Sequence, residues 1–165
     1  AVQQTHAVCS LAWHRKGDYL AIASRDHRGA AVELARLSAR QTQIPVRRKA
    51  SANVQCVKFH PLRPFLFVAT QHHVRIYNLQ PDAAASGGEP VLMKKLVPGM
   101  RWISSMDIHP SGDHVLLSSY DKRVCWMDLD LGVKPYRVLR SHARAVRSAK
   151  FHPRLPLFGG GSDAE

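Results

Sequence analysis

Val54-Gln55-Cys56-Val57-Lys58-Phe59-His60-Pro61 decides the fold, because the chain writes this phrase four times. The other copies are Val8-Cys9-Ser10-Leu11-Ala12-Trp13-His14, Ile103-Ser104-Ser105-Met106-Asp107-Ile108-His109 and Val146-Arg147-Ser148-Ala149-Lys150-Phe151-His152. Each sets a β-branched residue six positions before a His and a large apolar residue directly before it. Successive His anchors stand 46, 49 and 43 residues apart. Three of them are followed by Pro, at Pro61, Pro110 and Pro153. Turn residues come next, as in Lys16-Gly17-Asp18 and Ser111-Gly112-Asp113, and then a second apolar run. That run ends in a hydroxyl residue ten positions after the His: Ser24, Thr70, Ser119 and Ser162. A strand, a Pro/Gly/Asp turn and a second strand follow from this pattern.

Outward from the anchors, the complete copies carry third runs such as Val74-Arg75-Ile76-Tyr77-Asn78-Leu79 and Val124-Cys125-Trp126-Met127-Asp128-Leu129. Fourth runs follow at Val91–Val97, at Pro135–Arg140 and, as a short outer strand, at Ile44-Pro45-Val46. Four short strands at this period make one blade of a β-propeller, and no window carries a capped helical stripe. A blade cannot bury both faces alone, so neighbours stack face to face and the two inner strands of each blade are expected to be nearly all apolar. The fold class is therefore all-β, with repeats near 6–50, 51–98 and 99–140 and an incomplete one over 141–165. That is about three and a half blades of a larger, seven-bladed ring. Residues 82–89, Asp-Ala-Ala-Ala-Ser-Gly-Gly-Glu, read as a flexible insert.

Charge is the strongest compositional signal: 24 Lys and Arg against 12 Asp and Glu, a net +12. The segments Leu34–Pro81 and Leu131–Ser162 contain no acidic residue at all. Such one-sign stretches point to RNA or to an acidic partner. Arg36, Arg40, Arg47, Arg48, Lys49 and Lys58 are the candidate RNA- or partner-binding residues, with Arg47-Arg48-Lys49 expected in an exposed loop before the second blade. Contacts there are expected to go to phosphates and not to bases, since nothing in the sequence resembles a base-reading module with paired aromatics.

Other chemistries find little support. Cys9, Cys56 and Cys125 are far apart and form no CxxC pair, which speaks for small strand residues in a reducing compartment. Neither a signal-peptide pattern nor a run near the ~18 apolar residues of a membrane helix is present, so no membrane contact is expected. His14, His60, His109 and His152 are blade-equivalent, so a ring holds them apart, and a turn or hydrogen-bonding role is expected in place of a metal site. Gly159-Gly160-Gly161-Ser162 fails as a nucleophile elbow because Ala164 stands where the last Gly belongs. Neither a phosphate-binding Gly loop nor a paired-carboxylate site is evident, so no enzyme, no cofactor and no small-molecule substrate is expected.

The chain resembles the WD-repeat family. Tyr77-Asn78-Leu79 and Trp126-Met127-Asp128-Leu129 stand where that family ends its third strand, His142 stands where it places the His of its Gly-His pair, and Asp26 and Asp121 take its tight-turn Asp position. Ser141 leaves the Gly-His pair incomplete, and His72 departs from the turn Asp. Longer phrases are more specific. Trp13-His14-Arg15-Lys16-Gly17-Asp18-Tyr19, the run Phe59–Gln71, Trp126–Leu131 with Lys134-Pro135-Tyr136, and Phe151–Phe158 are similar to the C-terminal propeller of the block-of-proliferation ribosome biogenesis family. The resemblance implies a scaffold in maturation of large-subunit rRNA precursors and assembly of the pre-60S particle, located in the nucleolus and nucleoplasm. It also implies a ternary complex with a pescadillo-type protein and a second WD-repeat protein. The competing class is a WD-repeat adaptor that recognises an acidic peptide in a complex unrelated to ribosomes.

Overall fold

A computed structural model of the chain describes residues 6–26, 29–49, 53–80 and 89–164, with the backbone alone described at 26, 29, 30 and 44–49. Among the described residues there are strands and turns and no helix. Blade 1 is an antiparallel sheet of β1 (Ala7–Trp13), β2 (Tyr19–Asp26), β3 (Gly29–Arg36) and β4 (Gln41–Lys49), hydrogen-bonded in that order. Blade 2 repeats it with β5 (Val54–Phe59), β6 (Phe65–Thr70), β7 (Val74–Asn78) and β8 (Val91–Leu96). Blade 3 has β9 (Ile103–Ile108), β10 (His114–Ser119), β11 (Val124–Asp128) and β12 (Arg137–Leu139). The fourth sheet is the hairpin of β13 (Val146–Phe151) and β14 (Phe158–Ser162). Of the 82–89 insert, only Glu89 falls within the described residues.

Each anchor His closes its strand in the same way. The backbone N–H of His14, His60, His109 and His152 donates to the carbonyl five residues on, at Tyr19, Phe65, His114 and Leu157, over 2.8–2.9 Å. The imidazole Nδ1 then accepts backbone N–H groups of the turn: Lys16, Leu62 with Arg63, Ser111, and Arg154 with Leu155. The histidines thus cap the turns that their own strands run into. Gly17 and Gly112 take φ of +76° and +88° in two of these turns, a region that side chains resist.

The register also repeats. The β-branched residue six before the His pairs with the hydroxyl residue ten after it in every blade: Val8 with Ser24, Val54 with Thr70, Ile103 with Ser119 and Val146 with Ser162. One residue later each inner strand bulges, at Cys9, Gln55, Ser104 and Arg147. An extra residue there raises the local twist, which suits strands that must splay outward from an axis.

Packing runs between blades. Ala12, Ala21, Ala23, Val32 and Leu34 of blade 1 meet Val54, Val57, Leu66 and Val68 of blade 2. Phe67, Ala69, Val74, Ile76 and Leu96 on the other face of blade 2 meet Met106, Val115, Leu117, Cys125 and Met127 of blade 3. Leu116 and Val124 meet Val146 and Ala149 of the last hairpin. Alternation along β6 explains this: odd and even residues feed different cores, so Leu66 through Thr70 are all buried. β6 and β10 therefore meet the expectation of apolar inner strands, being buried from their second residue on, whereas β14, Phe-Gly-Gly-Gly-Ser, is exposed throughout and does not.

The first strands do not meet it, for they carry Ser10, Lys58, Ser105 and Asp107. These strands touch one another from blade to blade, β1 with β5, β5 with β9 and β9 with β13. Polar groups at that seam hook the blades together. Ser10 Oγ accepts the Val57 N–H at 3.2 Å, and Ser105 Oγ accepts the Ala149 N–H at 3.1 Å. At the equivalent place between blades 2 and 3 the Met106 N–H is turned towards the Cys56 sulfur and weakly favours its thiolate.

Candidate nucleic-acid and partner interface

The structure separates the six candidate cations into an outer group and an inner one. Arg36 ends β3 and is exposed; its Nε donates to Asp18 Oδ2 at 3.2 Å, and its Cζ lies 5.7 Å from the Tyr19 ring centroid. Asp18 also accepts the Ser38 N–H and hydroxyl at 2.8 and 2.9 Å, and these bonds, those of Ser38 before that of Arg36, hold its carboxyl below the ordinary range. Arg40 sits exposed in the turn between β3 and β4 with φ of +51°. Next to this group a cleft of about 290 Å³ opens between blades 1 and 2, lined by His14, Tyr19, Arg36, Gln41, Phe59 and Pro64 among others.

Arg47, Arg48 and Lys49 correct the expected loop. They belong to β4, paired with Ala31, Ala30 and Gly29 of β3, so the outer strand runs on to Lys49 and does not end at Val46. Pro45 had argued for a short strand. Here the register shifts opposite Glu33, between the pairs Val32 with Val46 and Leu34 with Gln43, so the residue lacking an N–H falls in an irregularity on an edge strand.

Lys58 does not join that outer group. It lies on β5, opposite Phe67, with β6 and β7 between it and the outer edge of its own blade. Two residues before each anchor, blades 2, 3 and 4 carry Lys58, Asp107 and Lys150, and the seam brings these together. Lys150 Nζ pairs with Asp107 Oδ1 at 3.1 Å, while Asp107 Oδ2 accepts the Phe151 N–H at 3.0 Å. Burial first, and then the neighbouring Lys150, lower the pKa of Lys58. A single carboxylate thus faces two ammonium groups along the inner strands.

A second cationic cluster lies where the inner strands begin. Arg147 grips Asp163 with two bonds, Nε to Oδ1 at 2.7 Å and Nη2 to Oδ2 at 3.0 Å, and its Cζ stands 5.0 Å over the Tyr120 ring. Tyr120 in turn meets Trp102 edge to face, with centroids 6.2 Å apart. The sequence offered little sign of this pair, since the two aromatics stand outside the strand patterns and 18 residues apart. Their shared feature is position: each directly flanks a strand, Trp102 just before β9 and Tyr120 just after β10.

Against known proteins, the family described as WD domain, G-beta repeat matches residues 1–28. The chain is 51% identical over 156 residues to the ribosome biogenesis protein ERB1 of Malassezia globosa, covering 92% of this chain and 17% of that protein. Over this stretch the chain is similar to the proteins named ERB1 and BOP1. It is 48% identical over 162 residues to erb1 of Schizosaccharomyces pombe, covering 98% of this chain and 21% of that protein. With the ribosome biogenesis protein BOP1 of Rattus norvegicus it shares 47% over 156 residues, 94% of this chain and 20% of that protein. The chain therefore spans about a fifth of the length of these ERB1 and BOP1 relatives. The WD-repeat match at residues 1–28 agrees with the partial propeller of antiparallel four-stranded sheets described above.

Proposed function

We propose that this chain is the propeller part of a non-catalytic scaffold in ribosome biogenesis, acting in the maturation of large-subunit rRNA precursors within a pre-60S particle. The observation that carries this is identity of about half over nearly the whole chain to proteins named for ribosome biogenesis. The fold supports it: propellers present strand edges and loops to several partners at once, and the polar groups described above are spent on turns and blade seams. The charge supports it as well, because a chain of net +12 suits a particle built on a polyanion. In this reading the protein works in the nucleolus and nucleoplasm, in a ternary complex with a pescadillo-type protein and a second WD-repeat protein. Arg36, Arg40, Arg47, Arg48 and Lys49 serve the outer edge of blade 1 and Lys58 the inner seam, as contacts to rRNA or to those partners.

Affinity purification of the tagged full chain is expected to enrich large-subunit rRNA precursors over other RNA. Equal recovery of small-subunit precursors would defeat the assignment. Arg47→Glu with Arg48→Glu is expected to weaken binding to naked rRNA fragments and leave the purified WD-repeat partner bound. Loss of the partner with RNA binding intact would move this strand to the protein interface.

A further inference from the structure

We infer that the blade 3 end bearing Trp102 and Tyr120 is a stacking site for unpaired bases of single-stranded RNA. This rests on the reading that the chain meets rRNA, and it gives that contact a place and a chemistry. The expectation of phosphate contacts alone assumed that no aromatics pair; here two do.

The pair is built and held by backbone. Trp102 leads into β9 and Tyr120 leaves β10, which are adjacent antiparallel strands, so the hairpin brings their Cα atoms together. The Tyr120 N–H and the Ser119 hydroxyl both donate to the Trp102 carbonyl, at 3.0 and 2.7 Å. The rings meet at 78°, yet 43% of Trp102 and 39% of Tyr120 remain open to solvent. Large apolar side chains on the adjoining β10, by contrast, are wholly covered. A guanidinium from the next blade covers one side of Tyr120, and its two hydrogen bonds to Asp163 fix it there. Ordering these groups before a ligand arrives lowers the entropy lost on binding.

Charge selects the ligand. Arg101, Lys122 and Arg123 stand within three residues of the pair in sequence, Arg147 lies over Tyr120 and Arg144 acts on Asp163, against the carboxylates of Asp121 and Asp163. Asp121 accepts the Arg101 N–H at 3.3 Å and faces Arg123 Nε at 3.6 Å. Five cations against two acids leave a positive rim around open aromatic faces. Successive bases stack on such faces while the rim tracks the phosphates, and each has a π-face whatever its identity. A duplex offers the same phosphates with its bases already stacked, so it suits this end less well.

The test uses the full chain, a fluorescent twelve-nucleotide oligouridine, an RNA duplex of equal length and a twelve-residue oligoglutamate. Trp102→Ala and Tyr120→Ala are each expected to weaken oligouridine binding about tenfold or more, the scale of one lost stacked base. Trp102→Phe, which keeps a ring and the fold, is expected to lose much less. Oligouridine is expected to quench indole emission in the parent, and that quenching should disappear in Trp102→Phe. If both alanine variants keep parental affinity while the parent binds RNA, the stacking site is wrong and the rRNA reading survives. If the parent binds neither RNA, both fall. Equal loss of duplex and oligouridine in the alanine variants, or loss of oligoglutamate alone, also overturns the proposal; the latter would assign this end to an acidic protein segment.

Discussion

The imidazole of His60 lies against the backbone of Gly112, its Nε2–H donating to the Gly112 carbonyl at 3.1 Å across 52 residues of sequence. The ring is neutral with the proton on Nε2, because Nδ1 accepts the N–H groups of Leu62 and Arg63 at 3.0 and 2.9 Å. One side chain thereby caps its own turn and locks blade 2 to the corresponding turn of blade 3. The fit leaves no space: a Cβ at position 112 would stand 2.3 Å from His60 Cε1.

Gly112→Ala is accordingly expected to destabilise the chain by about 2–5 kcal/mol, combining positive-φ strain with the clash. In a His60→Ala background the clash is gone, and the same substitution should cost only the backbone strain, about 1–2 kcal/mol. A double-mutant cycle from denaturant melts measures the difference. An unchanged increment in the His60→Ala background would show that the ring is not what fills this space.

Stability should also depend on pH through His60. Burial is the main cause that lowers its pKa below the ordinary value of 6.5, with Arg63 adding to it and the Gly112 bond opposing it. The folded pKa is depressed, so the unfolded chain takes up the proton first. The contribution is therefore complete above pH 6.5 and is lost as the pH falls through that value towards the folded pKa. Urea midpoints between pH 7.5 and 5 are expected to drop more steeply for the parent than for His60→Asn, whose side-chain oxygen can still cap the turn. Parallel curves would exclude His60 as the source.

The seam hooks predict an asymmetry among small substitutions. Ser105→Ala strands the N–H of Ala149, which is 1% exposed, and is expected to cost about 1–3 kcal/mol. Cys56→Ser keeps an acceptor for the Met106 N–H and is expected to cost less than Cys56→Val, which removes it. Thermal melts of the three variants rank them. A neutral Ser105→Ala would mean that the hook adds nothing to what the apolar core already holds.

Thiol chemistry offers an independent check on the blade cores. Burial pushes the thiols of Cys56 and Cys125 up to about 12, so at pH 8 only about one in ten thousand is thiolate. Iodoacetamide at that pH is expected to spare both until denaturant is added, while the exposed Cys9 reacts first. Mass spectrometry of the labelled peptides separates the three sites. Early labelling of Cys125 would show that the core between blades 2 and 3 opens readily.

Much of the blade was legible in the sequence because its signals are local. A β-branched residue, an apolar residue, a His and a Pro or Gly turn act within about ten residues, and each copy repeats them, so His14, His60, His109 and His152 fell on equivalent turns. The outer strand of blade 1 was harder. Pro45 reads as a stop in isolation, but an edge strand with a register shift absorbs a missing N–H, and β4 runs on through Arg47 and Arg48. The candidate cations were grouped by closeness in sequence, which a sheet does not preserve: Arg48 and Lys58 are ten residues apart, yet one lies on the outer edge of blade 1 and the other on the inner strand of blade 2.

The sequence alone determined the all-β class, the blade period, the turn histidines and the hydroxyl residues that pair across each inner hairpin, since all of these rest on short-range patterns repeated along the chain. Only the tertiary structure decided which groups meet between blades: His60 on Gly112, Ser105 under Ala149, Lys150 on Asp107, and Arg147 over the ring of Tyr120. The physical reason is that stacking blades brings together residues one full repeat apart. No local periodicity records which face of a strand turns towards which neighbour, and that choice is made when the apolar faces close on one another and carry the polar side chains along.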